Sequence, residues 1–410
     1  MWAYGNELGR VKYFEGNEWK ETNFASADVA ADFPVQDGEL VELYTNGGAF
    51  LASGIFNRAS KITVRILGPQ KAEEIDADKS AFIFKKICDA LNLRKIHFDQ
   101  ADSFRLVFGE ADFLPGFICE RYVAEGGKVY LLVQFLSLSC EVFRKEIIAA
   151  LEKVCEPAAI YERSDADVRL KEGLEPKSGW LKAPKGSASG AASDSATITI
   201  VENSVRIQVD LAQGQKTGYF LDQKFNRKEI WKYCRGKSVF DAFSHTGAFG
   251  LNAFFAGAKS VVCADISQDA VGLINKNIQL NGAEKAATAV CVDVFDALKK
   301  YEAEGQKFDV IILDPPAFTK SAKMIQKAYS GYKEINLRAM RILNPGGILV
   351  TCSCSHFFDE TNFYSMLASA AADSHRRVQI LQKRGAAPDH PLLLGYPKSE
   401  YLKCAICKVQ

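Results

Sequence analysis

From about residue 198 to the C-terminus, short apolar runs alternate with stretches of helical spacing, and few folds accept that alternation. The runs are Lys237–Phe243, Ser260–Asp265, Thr288–Val294, Phe308–Asp314 and Gly347–Ser353. Between the second and third, Ser267 is a good N-cap and Ala270, Ile274 and Ile278 fall on one helical stripe. The pattern predicts an α/β fold with a doubly wound, Rossmann-like sheet, to which Val378–Gln382 and Tyr401–Val409 can add two strands. Open sheets of this kind take ligands at the carboxyl ends of their strands.

Upstream the pattern changes twice. Residues 1–70 read as short strands with turns, closing on Leu40–Tyr44, the Asn46-Gly47-Gly48 hairpin signal, Ala49–Phe56 and Lys61–Leu67. Residues 75–197 mix helix and strand: helices at Ala81–Leu93 and Cys140–Val154, strands at Phe104–Gly109 and Val129–Phe135. Lys185 to Ser195 is low in complexity and reads as a surface loop. Three domains, 1–70, 75–197 and 198–410, are the expected division of 410 residues.

Bulk composition excludes several classes. No run approaches the roughly 18 apolar residues of a membrane span, and the N-terminus lacks a basic leader followed by an apolar stretch. The 11 cysteines then read as thiols of a reducing compartment, and a cytoplasmic location is expected. A net charge of +1 means that a nucleic-acid substrate would be held by local patches rather than a global field.

The first strand of the sheet runs into Asp241-Ala242-Phe243-Ser244-His245-Thr246-Gly247-Ala248-Phe249-Gly250, a glycine turn feeding a helix but lacking the Gly-x-Gly-x-x-Gly of dinucleotide sites. Asp265 ends the second strand, where an acid can bind a ribose diol, and Asp293 ends the third. Acids in these places without a pyrophosphate loop form the pattern of an S-adenosylmethionine site. Asp241, Phe243, Ser244, Gly247, Asp265 and Asp293 are its candidate contacts. The fourth strand ends in Asp314-Pro315-Pro316-Ala317-Phe318. In methyltransferases acting on bases, such an acid lies beside the transferred methyl, the prolines fix the backbone, and the aromatic offers a stacking face.

With these motifs in place the chain resembles the RlmI-type family of ribosomal RNA large-subunit methyltransferases. The likeness is carried by Asp37-Gly38-Glu39-Leu40-Val41-Glu42 and Gly54-Ile55-Phe56-Asn57 in a PUA-like unit, and by Arg105 to Asp112 and Ile160 to Asp165 in a central α+β domain. Gln215 to Gln223 carries it at the entry to a class I methyltransferase domain. The resemblance implies methylation of cytosine C5 in 23S rRNA, free or in a ribosomal assembly intermediate, with S-adenosylmethionine as cofactor. A homodimer stays open, and no membrane or metal is implied. Tyr219, Phe220 and Gln223 match the family's stretch ahead of the sheet and are candidates to cover the cofactor, with packing of the aromatics against the sheet as the alternative. Pro315, Pro316, Phe318 and Lys320 are candidate substrate contacts. Lys323, Lys327 and Lys333 follow and read equally as a solvated face.

Cytosine C5 becomes nucleophilic once a thiolate adds at C6, so the chemistry needs a cysteine and a group for the N3 and N4 edge. Asp314 suits the second task. For the first, RNA cytosine methyltransferases commonly place cysteine eight positions after the first glycine of a Gly-Gly-x-Leu-Val run. Here that position is Cys354, although a local Thr-Cys match points to Cys352. Many relatives carry another cysteine just after Asp-x-Pro to help release product; here Ala317 stands there. His390 of Asp389-His390-Pro391 is a candidate base or a structural loop histidine. Cys404 and Cys407 in a terminal strand would point to opposite faces, against zinc. Two rival functions remain: a base amino-group methyltransferase, which needs no Cys354, and a non-catalytic RNA-binding factor.

Overall fold

The computed structural model describes residues 2–15, 18–24, 34–184, 196–214, 217–319 and 321–410. The low-complexity stretch 185–195 and Lys320 lie outside the described residues. The chain packs as two compact units, one of Met1–Ala196, Leu211–Gly218 and Asp389–Tyr396, the other of Thr197–Asp210, Tyr219–Pro388 and Pro397–Gln410. Among the described residues no helix is long and apolar enough to cross a membrane.

The first unit holds two larger sheets. One is antiparallel, in the order Trp2–Tyr4, Ile62–Gly68, Phe50–Phe56, Leu40–Tyr44. Its hairpin turns at Gly48, whose φ of 82° falls where a side chain would be strained. Sequence periodicity passed over Trp2–Tyr4, a strand of only three residues. The second sheet orders Lys177–Lys182, Ala159–Ser164, Val129–Phe135, Phe117–Val123 and Phe104–Phe108, with helices Lys79–Arg94 and Arg144–Cys155. The single helix expected over Cys140–Val154 is broken: Leu138–Val142 ends at Phe143, which is buried with its ring 6.4 Å from Phe82. Arg65 ties the two sheets, donating from Nη2 to Glu172 (2.6 Å) and from Nη1 to Glu110 (3.2 Å).

The second unit is built on a seven-stranded sheet. Its strands are β1 (Ser238–Ala242), β2 (Ser260–Asp265), β3 (Ala287–Cys291), β4 (Phe308–Leu313), β5 (Leu343–Ser353), β6 (Val378–Arg384) and β7 (Lys403–Val409). The longer helices are α1 (Ala248–Phe255), α2 (Gln268–Leu280), α3 (Val294–Ala303), α4 (Ile325–Ile342) and α5 (Glu360–Ser374). The order is β3-β2-β1-β4-β5-β7-β6, parallel from β3 to β5, with β7 antiparallel to both neighbours. Val310, Ile311, Ile312 and Leu313 of β4 are all fully buried, which is why that strand reads as an unbroken apolar run rather than an alternating one. Ser267 caps α2 by accepting from the Ala270 amide.

Ahead of the sheet, the hairpin Thr197–Glu202/Val205–Asp210 packs on α2, where Asn277 and Asn281 accept from the Gln208 and Arg206 amides (both 2.9 Å). The hairpin supplies Glu202, a buried carboxylate gripped by Arg227 through Nε (2.6 Å) and Nη2 (2.9 Å). Arg227 also donates to the Phe220 carbonyl and lies over the Tyr219 ring, while Tyr219 Oη donates to Glu202 (2.9 Å). This pair fixes the segment that leads into the sheet's carboxyl edge. Breaking a buried pair by removing one partner strands the other charge, at a cost of about 3–5 kcal/mol. Arg227→Met is therefore expected to lower unfolding stability by that order, with a matching fall in the urea midpoint.

Candidate functional site

The order of strands reverses between β1 and β4: β2 follows on one side, β5 on the other. At such a switch point the loops leave in opposite directions and open a crevice at the carboxyl edge. The turn after β1 is tightly wound. Phe243 and His245 hold left-handed φ values of 61° and 54°, and Gly247 has φ 76°. Two non-glycine residues in that region store strain of a kind concentrated at functional sites. The turn is clamped by Ser244, whose amide donates to the Ala264 carbonyl (3.0 Å) and whose hydroxyl donates to the Asp241 carbonyl (2.7 Å). Gly250 lets α1 press on the sheet, since a Cβ there would strike Cys263 Sγ and lie 3.1 Å from Asp241 Oδ2.

Asp241 is buried and accepts from the Gly250 amide (2.9 Å). Burial pushes its carboxyl up to about 7, and the charge of Asp265 adds to the rise. Asp265 is half-buried, with Oδ2 accepting from the His245 amide (2.9 Å) and Oδ1 from the Ser267 amide (3.0 Å). Each oxygen is oriented and keeps a further lone pair, which suits a vicinal diol. Beside it Ile266 is 68% exposed, an apolar face that sequence reasoning missed although it directly follows the strand-ending acid. Asp293 is placed differently from expectation: β3 stops at Cys291, and Asp293 caps α3 by accepting from the Phe295 amide (2.7 Å). Its other oxygen is not engaged by that cap.

Gln223 donates from Nε2 to Asp314 Oδ1 (3.0 Å), and its own Oε1 accepts from Asn226 (2.7 Å), which fixes the amide's orientation. Burial first, then the charge of Asp222, pushes the Asp314 carboxyl up to about 7, with Arg227 opposing. Asp222 accepts from Tyr401 Oη (2.5 Å) on one oxygen, while the other is buried without a hydrogen-bond partner among the described residues. Tyr219 is buried, and Phe220 remains partly open with its ring 4.9 Å from that of His245. The sequence gives no local signal for Glu202, Asp222 or Arg227, because their roles depend on partners far along the chain.

Beyond Asp314, Pro315 is buried and Pro316 exposed. Phe318 stands in an aromatic cluster, 4.5 Å from Tyr332, 6.0 Å from Phe295 and 6.4 Å from Phe243, and Gly331 leaves the space in which its ring lies on α4. Lys323 and Lys327 are exposed, and Lys333 is paired with Asp373 (2.7 Å).

The two candidate cysteines differ sharply. Cys352 lies inside β5 opposite Cys404 of β7 and is fully buried. A hydrogen bond with the Cys404 thiol, reinforced by burial, raises its pKa well above the usual thiol range. Cys354 is the first residue past the end of β5; it is partly exposed, and its Sγ is 4.0 Å from the Pro315 carbonyl oxygen. The crevice therefore brings together Asp241, Gln223, Asp314 and, through Pro315, Cys354. His390 belongs to the first unit, where it is buried, bonded to Asp389 Oδ1 (2.8 Å) and 5.0 Å from the Phe108 ring.

Comparison with known proteins bears on this geometry. The profile of the S-adenosylmethionine-dependent methyltransferases matches residues 184–392, and that of the PUA-like domain matches 23–69. Relatives named ribosomal RNA large subunit methyltransferase I include those of Aliivibrio fischeri, 41% identical over 91% of both chains, and Photobacterium profundum, 40% identical over 91% of both. Among solved structures, a provisionally assigned methyltransferase complexed with SAH superposes with a TM-score of 0.74 at 22% identity, covering 91% of this chain and 92% of its own. The carboxylates at the ends of β1 and β2, the glycine turn and the exposed Ile266 fit an S-adenosylmethionine whose ribose hydroxyls, adenine face and cationic groups need such partners.

The raised carboxyl of Asp314 has a consequence for stability. Between the unfolded value near 4 and about 7 the folded protein binds more protons than the unfolded one, so this residue's contribution falls as pH rises through that window. In cofactor-free protein, Asp314→Asn is expected to gain in melting temperature relative to the parent between pH 5.5 and 8.5. Scanning calorimetry at both pH values checks it; a constant difference would contradict the assignment.

Proposed function

The chain belongs to the ribosomal RNA large subunit methyltransferase I family, and from that premise we propose that it methylates C5 of a cytosine in 23S rRNA, free or within an assembling particle. The observation that carries this reading is a partly exposed cysteine, Cys354, beside the carbonyl of the proline that follows Asp314. C5 methylation needs a sulfur nucleophile at C6 and an acid at N3 in one place. Amino-group methylation needs no sulfur.

In the proposed course the Cys354 thiolate adds to C6, forming the C6–S bond and driving the ring electrons toward N3. Asp314, with a carboxyl near 7, donates its proton to N3 and accepts from the N4 amino group with the oxygen left open to substrate. Gln223 holds the other side of that carboxyl and keeps it facing the ring. S-adenosylmethionine, when bound, supplies the electrophilic methyl that C5 takes up. A base then removes the C5 proton, the C5=C6 bond re-forms, the C6–S bond breaks to return the thiolate, and N3 gives its proton back to Asp314. Ala317 excludes a cysteine from the position just after Pro316 as that base.

Asp241, Asp265, Asp293 and the turn at Phe243, Ser244 and Gly247 would hold the cofactor, with Tyr219, Phe220 and Gln223 closing over it. Phe318 would present the edge of its aromatic cluster to the base, and Pro315, Pro316 and Lys320 would flank it. The division into 1–70, 75–197 and 198–410 assigns RNA contact to the PUA-like part and chemistry to the last part, in a cytoplasmic enzyme.

The test is transfer of labelled methyl to rRNA followed by nucleoside analysis. The expected product is 5-methylcytidine. Cys354→Ala should lose about three orders of magnitude or more in rate, and Cys352→Ala should stay within about threefold of the parent if it serves only packing. RNA containing 5-fluorocytidine should give a denaturant-resistant adduct with the parent and with Cys352→Ala, and none with Cys354→Ala. Methylated adenosine or guanosine as sole product, or a fully active Cys354→Ala, would overturn the proposal.

A further inference from the structure

Lys403 is an odd residue for its place. It opens β7, the inner antiparallel strand, between Leu402 and Cys404, and is only 8% exposed. Its ammonium donates to the Ser355 carbonyl (2.7 Å) and to the Tyr401 carbonyl (2.8 Å). Among the described residues no carboxylate lies within ion-pair distance of it. A buried cation without a counter-charge costs several kcal/mol, and two carbonyl bonds could have been satisfied by a neutral donor. Register explains which group it serves: Lys403 is paired with Ser353, and its ammonium is tied to the carbonyl of Ser355, so the strand pair and the hydrogen bond bracket Cys354.

We propose that Lys403 is a positioning residue that keeps Cys354 as a thiolate ready to add to the pyrimidine, an inference that rests on the reading of Cys354 as nucleophile. Ionisation sends the thiol proton to solvent and leaves an anion beside a fixed ammonium in a site of low polarity, where the attraction is far stronger than in water. Other groups near the pair act less directly. Cys354 acts on Tyr332 of α4, the Pro315 carbonyl lies 4.0 Å from Cys354 Sγ just past β4, and Asp359 and Glu400 act on Lys403 from flanking loops. Burial pulls the Lys403 ammonium down to about 8, with Cys354 the foremost charge holding it up. The charge is thus in place at neutral pH and is lost above it.

The test reads the thiol itself, without RNA or cofactor. Iodoacetamide alkylation, in which an S–C bond forms as iodide leaves, is followed at Cys354 by peptide mass spectrometry across pH 6–10. The exposed Cys291 serves as internal reference. In the parent, the Cys354 midpoint is expected about one pH unit below that of Cys291. Lys403→Met should raise it by about one unit, slowing labelling about tenfold near pH 7, and Lys403→Arg should restore the parent curve. Methyl transfer by Lys403→Met should recover as pH rises, with cofactor affinity by calorimetry unchanged. A Cys354 midpoint at or above that of Cys291 in the parent overturns the proposal even if Lys403→Met fails to fold. So does a Lys403→Met curve superimposed on the parent's. Because the readout needs no turnover, a fully active Cys354→Ala would refute the nucleophile while leaving the Lys403 measurement to stand by itself.

Discussion

One buried guanidinium carries the charge balance of the crevice. Arg227 is bonded to Glu202, and its charge also acts on Asp241 and Asp314, the acids at the ends of the two strands where the sheet changes direction. Without a central cation, four carboxyl groups (Glu202, Asp222, Asp241, Asp314) would face one another in a poorly solvated space. With it, part of that negative charge is offset, and burial pushes the carboxyls of Asp241 and Asp314 up to about 7. Arg227 also fixes the backbone at Phe220 and the ring of Tyr219, so charge and geometry are set by the same side chain.

That balance suits the proposed reaction, which makes two demands. A sulfonium cofactor favours anionic surroundings, while a cytosine under attack at C6 needs a proton at N3. Acids poised near 7 can serve either need, because little free energy separates their two forms there. The half-buried Asp265 keeps its orientation through backbone amides instead. In the proposed reading, a proton-carrying acid just past β4 and a ribose-binding acid at the end of β2 would keep these roles apart along the sheet edge.

Much of the architecture was readable from periodicity. The unbroken run of β4 and the Ser267-capped helix are local patterns, and each survives in the structure within a residue or two. The expected strand Thr288–Val294 did less well at its end, since Asp293 turned out to cap α3: an acid between a strand and a helix satisfies the helix's first amides at no cost to the sheet. The helix at 140–154 broke for a similar reason, because burying Phe143 outweighed continuity of spacing. Phe318 reads as a stacking residue in the sequence, and the structure adds that its partly exposed ring lies near Tyr332, Phe295 and Phe243.

The sequence alone determined the sheet, the order of its acids and the cofactor class, since each depends on residues close together in the chain. Tertiary structure decided the difference between two cysteines only two positions apart. Cys352 is sealed against Cys404 because β7 pairs with β5 in one register, and Cys354 escapes because that strand has ended. The same pairing sets Lys403 opposite Ser353, with its ammonium on the Ser355 carbonyl, and a separate packing of hairpin and helix brings Arg227 to Glu202. Burial and charge are set by neighbours distant in sequence, so only the folded chain could assign them.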